Sequence, residues 1–503
     1  MPSDLLLPSP RPVPAGFVLG AATAAYQIEG ARHEDGRRDS IWDTFSHTPG
    51  AVVDGDTGDV ACDHYHRYAA DVALMAELGL QSYRFSTSWA RVCPDGGPVN
   101  GAGLDFYERL VDSLLEHDVA PWLTLYHWDL PQALEDRGGW TSRETTDRFL
   151  EYAVAVHERL GDRVRTWTTL NEPWCAAFLG YTAGMHAPGR TSPADGLAAA
   201  HHLLLGHGRV VEELRRRDAS LELGLTLNFT VADPLDPGDE RDVDAARRID
   251  AQMNRIFLDP IFRGAYPADL LEDVAHLGLQ GHVRDGDLEV ISTPIDVLGV
   301  NYYNGEAIGH EPPAAVLDDQ VNGGRATRSP FPAAENSHRH PRGLPVTAMD
   351  WEIQPDGLTR LLVRLHEEYA GPTGVVLHVT ENGAAFTDEP ERDGHVADRD
   401  RTAYVRAHVG AVLDAIDQGV PVRGYFYWSL LDNFEWAWGY AKRFGIIRVD
   451  YETQVRTPKA SALDLAEVIA TRTLPAPDAP LVTGGAKTHR STHPDAPPGD
   501  TTA

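Results

Sequence analysis

Along about 460 residues this chain alternates short apolar, β-branched runs with stretches of helical periodicity, eight times over. That alternation predicts a parallel sheet, because a strand that must run parallel to the last one needs a crossover helix between them. The clearest run is in VVLHVTENG, where Val375 to Val379 read as a strand buried on both faces and Glu381 follows at its end. Far upstream, RTWTTLNEPWC repeats the arrangement, with Trp167 to Leu170 as the strand and Glu172 at its exit. Carboxylates just past buried parallel strands sit at the carboxyl edge of the sheet, where such folds place their chemistry.

The other six strands carry polar and aromatic residues at the same edge. GFVLGAATAAYQIEGA leads to Gln27, LQSYRFSTSW carries Arg84, and APWLTLYHWDLPQAL ends in His127, Trp128 and Asp129. LELGLTLNFT ends near Asn228, IDVLGVNYYNG at Asn301, Tyr302 and Tyr303, and VRGYFYWSLLDNFEW leaves Trp428, Glu435 and Trp436 in and after its end. Helical spacing is plainest in DHYHRYAADVALMAELG, LDFYERLVDSLLEHD, Thr141 to Leu160, Asp195 to Arg217, GLTRLLVRLHEEYAG and TAYVRAHVGAVLDAIDQG. The expectation is an α/β protein with a single (β/α)8 TIM barrel over residues 16–472 and long βα loops. A Pro-rich, loosely held leader over residues 1–15 precedes it, and a tail over 473–503, too poor in apolar residues to fold, comes after it. Residues 304–350, dense in proline and glycine, read as a structureless loop over the pocket mouth that returns at Trp351.

Charge and cysteine usage exclude several classes. A net charge of -31, from 75 acidic against 44 basic residues, argues against nucleic acid and anionic membranes as partners. The start MPSDLLLPSPRPVPAG breaks into prolines before any signal-length apolar segment forms, and no run approaches a membrane span. Three cysteines, Cys62, Cys93 and Cys175, make no disulfide framework, which points to a cytoplasmic protein.

Two strand-end glutamates in one barrel suit glycoside hydrolysis, in which two carboxyl groups flank one bond. One must be protonated to hand a proton to the leaving oxygen and the other ionised to attack the anomeric carbon, so their surroundings must push the two pKa values apart. Arg84 is the candidate for keeping Glu381 ionised. Aromatic side chains stack on pyranose faces, while Asn, Gln, His and Glu bond hydroxyls. His127–Trp128–Asp129 and Asp63, His64 and His66 lack metal-ligand spacing, so no metal and no organic cofactor is expected. His201 and His202, on a helical stretch, read as partly buried or solvated, and Cys175, without a paired histidine, reads as a buried structural thiol.

TLNEP around Glu172, TENG around Glu381, FVLGAATAAYQIEGA, YRFSTSW, LYHWDLP, GVNYY and WSLLDNFEWAWGY together resemble the family 1 glycoside hydrolases, the retaining β-glucosidases and their relatives, from about Gly16 to about Thr471. The resemblance implies that Glu172 is the acid/base and Glu381 the nucleophile, about 5 Å apart, with retention through a covalent glycosyl-enzyme. It implies a sugar subsite of Gln27, His127, Trp128, Asn171, Trp428 and Glu435 with Trp436 beside it, and support of the nucleophile by Arg84, Asn301 and Tyr303. Asn228, Trp351, Phe178 and Cys175 would line the aglycone side. Relatives that cleave 6-phosphorylated glycosides tend to carry serine where this chain has Glu435, whose carboxylate would repel a phosphate. Plant thioglucosidases replace the acid/base by glutamine, and here Glu172 is intact. Two departures are Ala90, where proline is frequent, and Asp350, where glycine is frequent.

Residues and resemblance together imply an exo-acting β-glucosidase of cellobiose and aryl or alkyl glucosides, with a role in cellulose and polysaccharide degradation. Rival readings are a β-galactosidase, β-fucosidase or transglycosylase on the same machinery, and a catalytically silent sugar-binding barrel. The family ranges from monomers to larger assemblies, which leaves a homo-oligomer open.

Overall fold

A computed structural model describes residues 10–313, 327–392 and 394–481. Eight parallel strands close into a barrel: β1 (Val18–Ala22), β2 (Ser82–Ser86), β3 (Ala120–Tyr126), β4 (Thr166–Asn171), β5 (Glu222–Phe229), β6 (Val297–Tyr302), β7 (Val376–Asn382) and β8 (Val422–Trp428). They neighbour one another in chain order, and β8 returns to β1 through Gly424↔Val18 to Trp428↔Ala22. All eight expected strands are present.

The strands are buried almost throughout because helices cover the outside and side chains fill the inside. Inside, Trp122 of β3 lies 4.9 Å from the His378 ring of β7 and 5.2 Å from Phe426 of β8, and its indole N–H donates to Thr168 of β4 at 2.7 Å. That layer plugs the barrel and gives the pocket above it a floor. Close approach of β5 and β6 depends on Gly224, where a Cβ would stand 1.9 Å from the Val297 carbonyl oxygen.

The crossover helices obey their local signals. His64–Glu77, Gly101–Glu116, Glu144–Leu160, Pro193–Arg217, Pro355–Leu365 and Arg399–Asp417 match the expected helices to within a few residues. Pro193–Arg217 starts on Ser192, whose hydroxyl accepts from the Asp195 N–H, has proline in its first turn, and ends on Arg215, Arg216 and Arg217 beside its negative dipole end. No helix among the described residues is long and apolar enough to cross a membrane.

Two regions differ from the sequence reading. The stretch 304–350 is not structureless where it is described: Glu306–Gly309 pairs with Ala232–Pro234 in parallel and with His338–His340 antiparallel, forming a three-stranded sheet beside the barrel. Strands of three or four residues carry too little periodicity to be seen, and their partners lie far apart in sequence. Residues 314–326 of that stretch lie outside the described residues. Leader and tail also meet: Arg11 and Pro12 pair with Leu474 and Thr473, Val13 is buried, and Arg11 bonds Asp414 and Asp417 at 2.7 and 2.8 Å. This end of the leader is therefore held rather than loose, while residues 1–9 and 482–503 lie outside the described residues.

Candidate active site

At the carboxyl edge of the barrel, two register irregularities coincide with the two glutamates. The β4–β5 pairing shifts between Thr168 and Asn171, just before Glu172, and the β6–β7 pairing shifts between Val379 and Glu381. Such shifts re-aim side chains at the ends of strands. Glu172, Trp128 and Trp436 also adopt positive φ angles of 45°, 74° and 49°, a region that costs residues with a Cβ energy.

Glu381 is tied down on both oxygens. Arg84 Nη1 donates to Oε1 at 2.7 Å and the Tyr303 hydroxyl to Oε2 at 2.8 Å. Burial pushes this carboxyl up, and the charge and hydrogen bond of Arg84 pull it back. Glu172 has no such cation in contact: its Oε1 accepts from Asn301 Nδ2 at 2.7 Å and its Oε2 from the Cys175 thiol at 3.2 Å. Burial, reinforced by the Glu381 charge, pushes Glu172 up to about 8. On balance burial still raises Glu381, but it faces a cation that favours its carboxylate, whereas Glu172 faces only neutral donors and is held as an acid at neutral pH.

Asn171 links the pair. Its carbonyl oxygen accepts from Arg84 Nη2 at 2.7 Å and from Asn301 Nδ2 at 3.2 Å, so its amide nitrogen points at His127 Nε2, 3.0 Å away. An amide N–H only donates, so Nε2 of His127 accepts and the ring proton sits on Nδ1. Burial and then the Arg84 charge push His127 well down, keeping it neutral. Among the described residues, His127 Nδ1, Gln27 Oε1, Glu435 Oε2 and Asn228 Oδ1 are buried without a protein partner. Other unpartnered buried atoms lie elsewhere, such as Trp89 Nε1 and Trp140 Nε1, but these four belong to residues expected to touch the substrate. Gln27 is oriented by donating to the Phe434 carbonyl at 2.8 Å. Burial and the charges of Glu381 and Glu172 push Glu435 up to about 8.

Aromatic rings frame these groups. Trp428 stacks on the His127 ring at 5.6 Å, and Trp436 lies 4.4 Å from Trp128 and 4.6 Å from Trp42. Trp351, just past the 304–350 stretch, lies 5.3 Å from Tyr303, and Phe331 within that stretch lies 5.3 Å from Trp174, two residues after Glu172. Asp350 takes a φ of 57°, the conformation in which glycine is at ease.

The structure brings together Glu172, Glu381, Arg84, Asn301, Tyr303, Asn171 and His127 in one hydrogen-bond network, with Asn228 joined to it through Cys175. Cys175 needs correcting. It is no inert core thiol but a partner of Glu172, because a π-helical segment, Cys175–Ala183, begins three residues after the glutamate and turns the sulfur back onto it. Sequence reasoning also missed His186, whose ring lies 5.2 Å from Trp42 and 5.5 Å from Trp128. Other histidines are spent on structure: His64 bonds Asp71, His201 bonds Tyr266 and Asp287, and His202 bonds the Trp140 carbonyl. Asp239, Asp242 and His310 bring potential ligand atoms within 4.8 Å of one another, but Asp242 is engaged by the N–H groups of Asp236 and His310 and by the His310 ring.

A closed (β/α)8 barrel with two buried carboxyl groups in opposed electrostatic settings, ringed by aromatic residues and hydroxyl-bonding side chains, defines a glycosidase. Similarity to known proteins narrows it further. The sequence model described as Glycosyl hydrolase family 1 matches residues 9–474, and the chain belongs to that family. It is 53% identical over 462 residues to a thermostable beta-glucosidase B of Thermobispora bispora, covering 91% of this chain and 90% of that protein. It is 49% identical over 460 residues to a bifunctional beta-D-glucosidase/beta-D-fucosidase of Bifidobacterium breve, covering 89% and 96%. The crystal structure of a psychrophilic beta-glucosidase from Micrococcus antarcticus superposes with a TM-score of 0.89 at 56% identity, covering 91% of this chain and 97% of that one.

Proposed function

We propose that this chain is a retaining exo-β-glucosidase that releases terminal β-D-glucosyl residues from cellobiose, short β-glucans and aryl or alkyl glucosides. The observation that carries the reading is the opposed setting of the two glutamates. Glu381, paired with Arg84 and Tyr303, is the nucleophile, and Glu172, buried among neutral donors with its pKa pushed up to about 8, is the acid/base. In the first step Glu381 attacks the anomeric carbon while Glu172 protonates the leaving oxygen. In the second, Glu172 takes a proton from the water that displaces Glu381. Gln27, His127, Trp128, Asn171, Trp428, Glu435 and Trp436 hold the glucosyl ring, and Asn228 and Trp351 meet the aglycone. The three buried free cysteines agree with work in the reducing cytoplasm on cellulose-derived sugars.

A second reading, hydrolysis of β-fucosides or β-galactosides at the same site, is favoured by the bifunctional relative. A panel of nitrophenyl β-glycosides with Glu381→Ala and Glu172→Ala tests both. The glucoside is expected to be the best substrate, Glu381→Ala to be inactive, and Glu172→Ala to recover with azide as a β-glycosyl azide. A leading fucoside or galactoside would overturn the substrate, and full turnover in either variant would overturn the mechanism.

A further inference from the structure

Glu172 touches two unlike partners. Its Oε1 accepts from Asn301 Nδ2 at 2.7 Å, and that amide cannot turn over, because the same nitrogen donates at 3.2 Å to Asn171 Oδ1, an oxygen held as an acceptor by the donor-only guanidinium of Arg84. An oxygen facing a donor-only group cannot also carry a proton toward it. The acid proton of Glu172 therefore resides on Oε2, and Oε2 lies 3.2 Å from Cys175 Sγ. On its other side the sulfur faces Asn228 Nδ2 at 3.6 Å. A thiol is both a weak donor and a weak acceptor, so this contact is satisfied in either charge state of the glutamate.

We infer that Cys175 is a positioning residue that tracks the proton of Glu172 through the reaction, accepting from Oε2–H while Glu172 is an acid and donating S–H to Oε2 once it is a carboxylate. The inference rests on the acid/base reading of Glu172. In the first step the Oε2–H bond breaks, the proton goes to the leaving oxygen, and that oxygen keeps the electron pair of the broken glycosidic bond. The thiol then turns its hydrogen toward the new carboxylate. In the second step water loses a proton to Oε2 as its oxygen bonds the anomeric carbon and Glu381 leaves with the electron pair of the ester bond, and the thiol turns back. Because the contact is weak in both directions, it orients Oε2 without trapping the proton. A hydroxyl in its place would bond the carboxylate more strongly, and an alkyl group not at all.

The experiment is the pH profile of kcat/KM on cellobiose for the full chain, Cys175→Ser, Cys175→Val and Cys175→Ala. The charged and titratable groups that face Glu172 are Glu381 on β7, Arg84 on β2, Tyr303 after β6, Glu435 after β8 and, through Asn171, His127 after β3, and all stay in place. The alkaline limb should move to lower pH in Cys175→Ser and to higher pH in Cys175→Val and Cys175→Ala, by roughly 0.3–1 pH unit each way. With 2,4-dinitrophenyl β-glucoside, whose leaving group needs no proton, the first step should change less than about twofold. Limbs that coincide with wild type, or that all move in one direction, would overturn the inference. Alanine and serine keep the test decisive if valine prevents folding. Glu172→Ala separates the two readings: loss of cellobiose hydrolysis with azide rescue upholds the acid/base role, so unmoved limbs beside it would sink the thiol inference alone.

Discussion

Single side chains decide the chemistry here, and Arg84 has the largest leverage. It is fully buried, and removing it leaves the Glu381 carboxylate without its cation. Arg84→Met should lower kcat/KM by roughly 10²–10³-fold, the rate equivalent of breaking a buried ion pair. As the proposed nucleophile Glu381 must be ionised, and losing Arg84 raises its pKa, so the acid limb of the pH profile should move to higher pH. Tyr303→Phe removes one hydrogen bond at 2.8 Å and should move the same limb the same way, by roughly 0.5–1 pH unit, with a loss of about tenfold. At the other end, the proposed acid Glu172 must be protonated, so wild-type kcat/KM on poor leaving groups should fall as pH rises through about 8. Much of this was legible in the sequence, because Glu172, Glu381, Arg84, Asn301 and His127 stand in or just past apolar strands, where a polar residue has few structural reasons to be. Cys175 was not legible: whether a thiol reaches a carboxylate three residues away depends on how the chain turns after the strand, and the π-helical start at Cys175 has no sequence signature.

At the level of elements, the loop after β8 carries Glu435 and Trp436, and what holds it lies beneath. Lys459 donates to Asp388 at 2.5 Å and Asp432 at 2.7 Å, Arg401 bonds Asp388 and Asp398, and Arg443 bonds Asp432 at 2.6 Å. This buried network joins the loop after β7, the loop after β8 and the start of the last helix, Ala460–Thr471. Lys459→Met should cost about 3–5 kcal/mol in urea unfolding, because two buried carboxylates lose their common cation, and KM should rise as the Glu435 loop loosens. Gly224→Ala, which drives a Cβ into the β6 backbone, should destabilise the barrel by about 1–3 kcal/mol while leaving the pH limbs unmoved. The eight strands could be read because each is a buried run bounded by turns. The three-stranded side sheet could not, since its strands form only through pairing that joins Ala232–Pro234 to Glu306–Gly309 and His338–His340.

Over the whole molecule, the charge of -31 sets a self-repulsion that salt can relieve. The melting temperature should rise between about 10 mM and 0.2 M salt, as the screening length drops from roughly 30 Å to below 10 Å, and a flat response would show that the surface ion pairs already balance the field locally. The ends are joined too: Arg406 Nη1 donates to the Ala476 and Ala479 carbonyls at 3.1 and 2.7 Å, beside the pairing of Arg11 and Pro12 with Leu474 and Thr473. The barrel seam has a further meaning for how the protein is made. Gly424 of β8 must meet Val18 of β1, so the first strand emerges from the ribosome long before its neighbour exists. Until then it is an apolar edge at the start of a growing chain, in need of shelter. Contacts so distant in sequence make closure slow and late. No nascent chain that lacks β8 and the Glu435 loop after it therefore has a finished pocket in which to bind sugar.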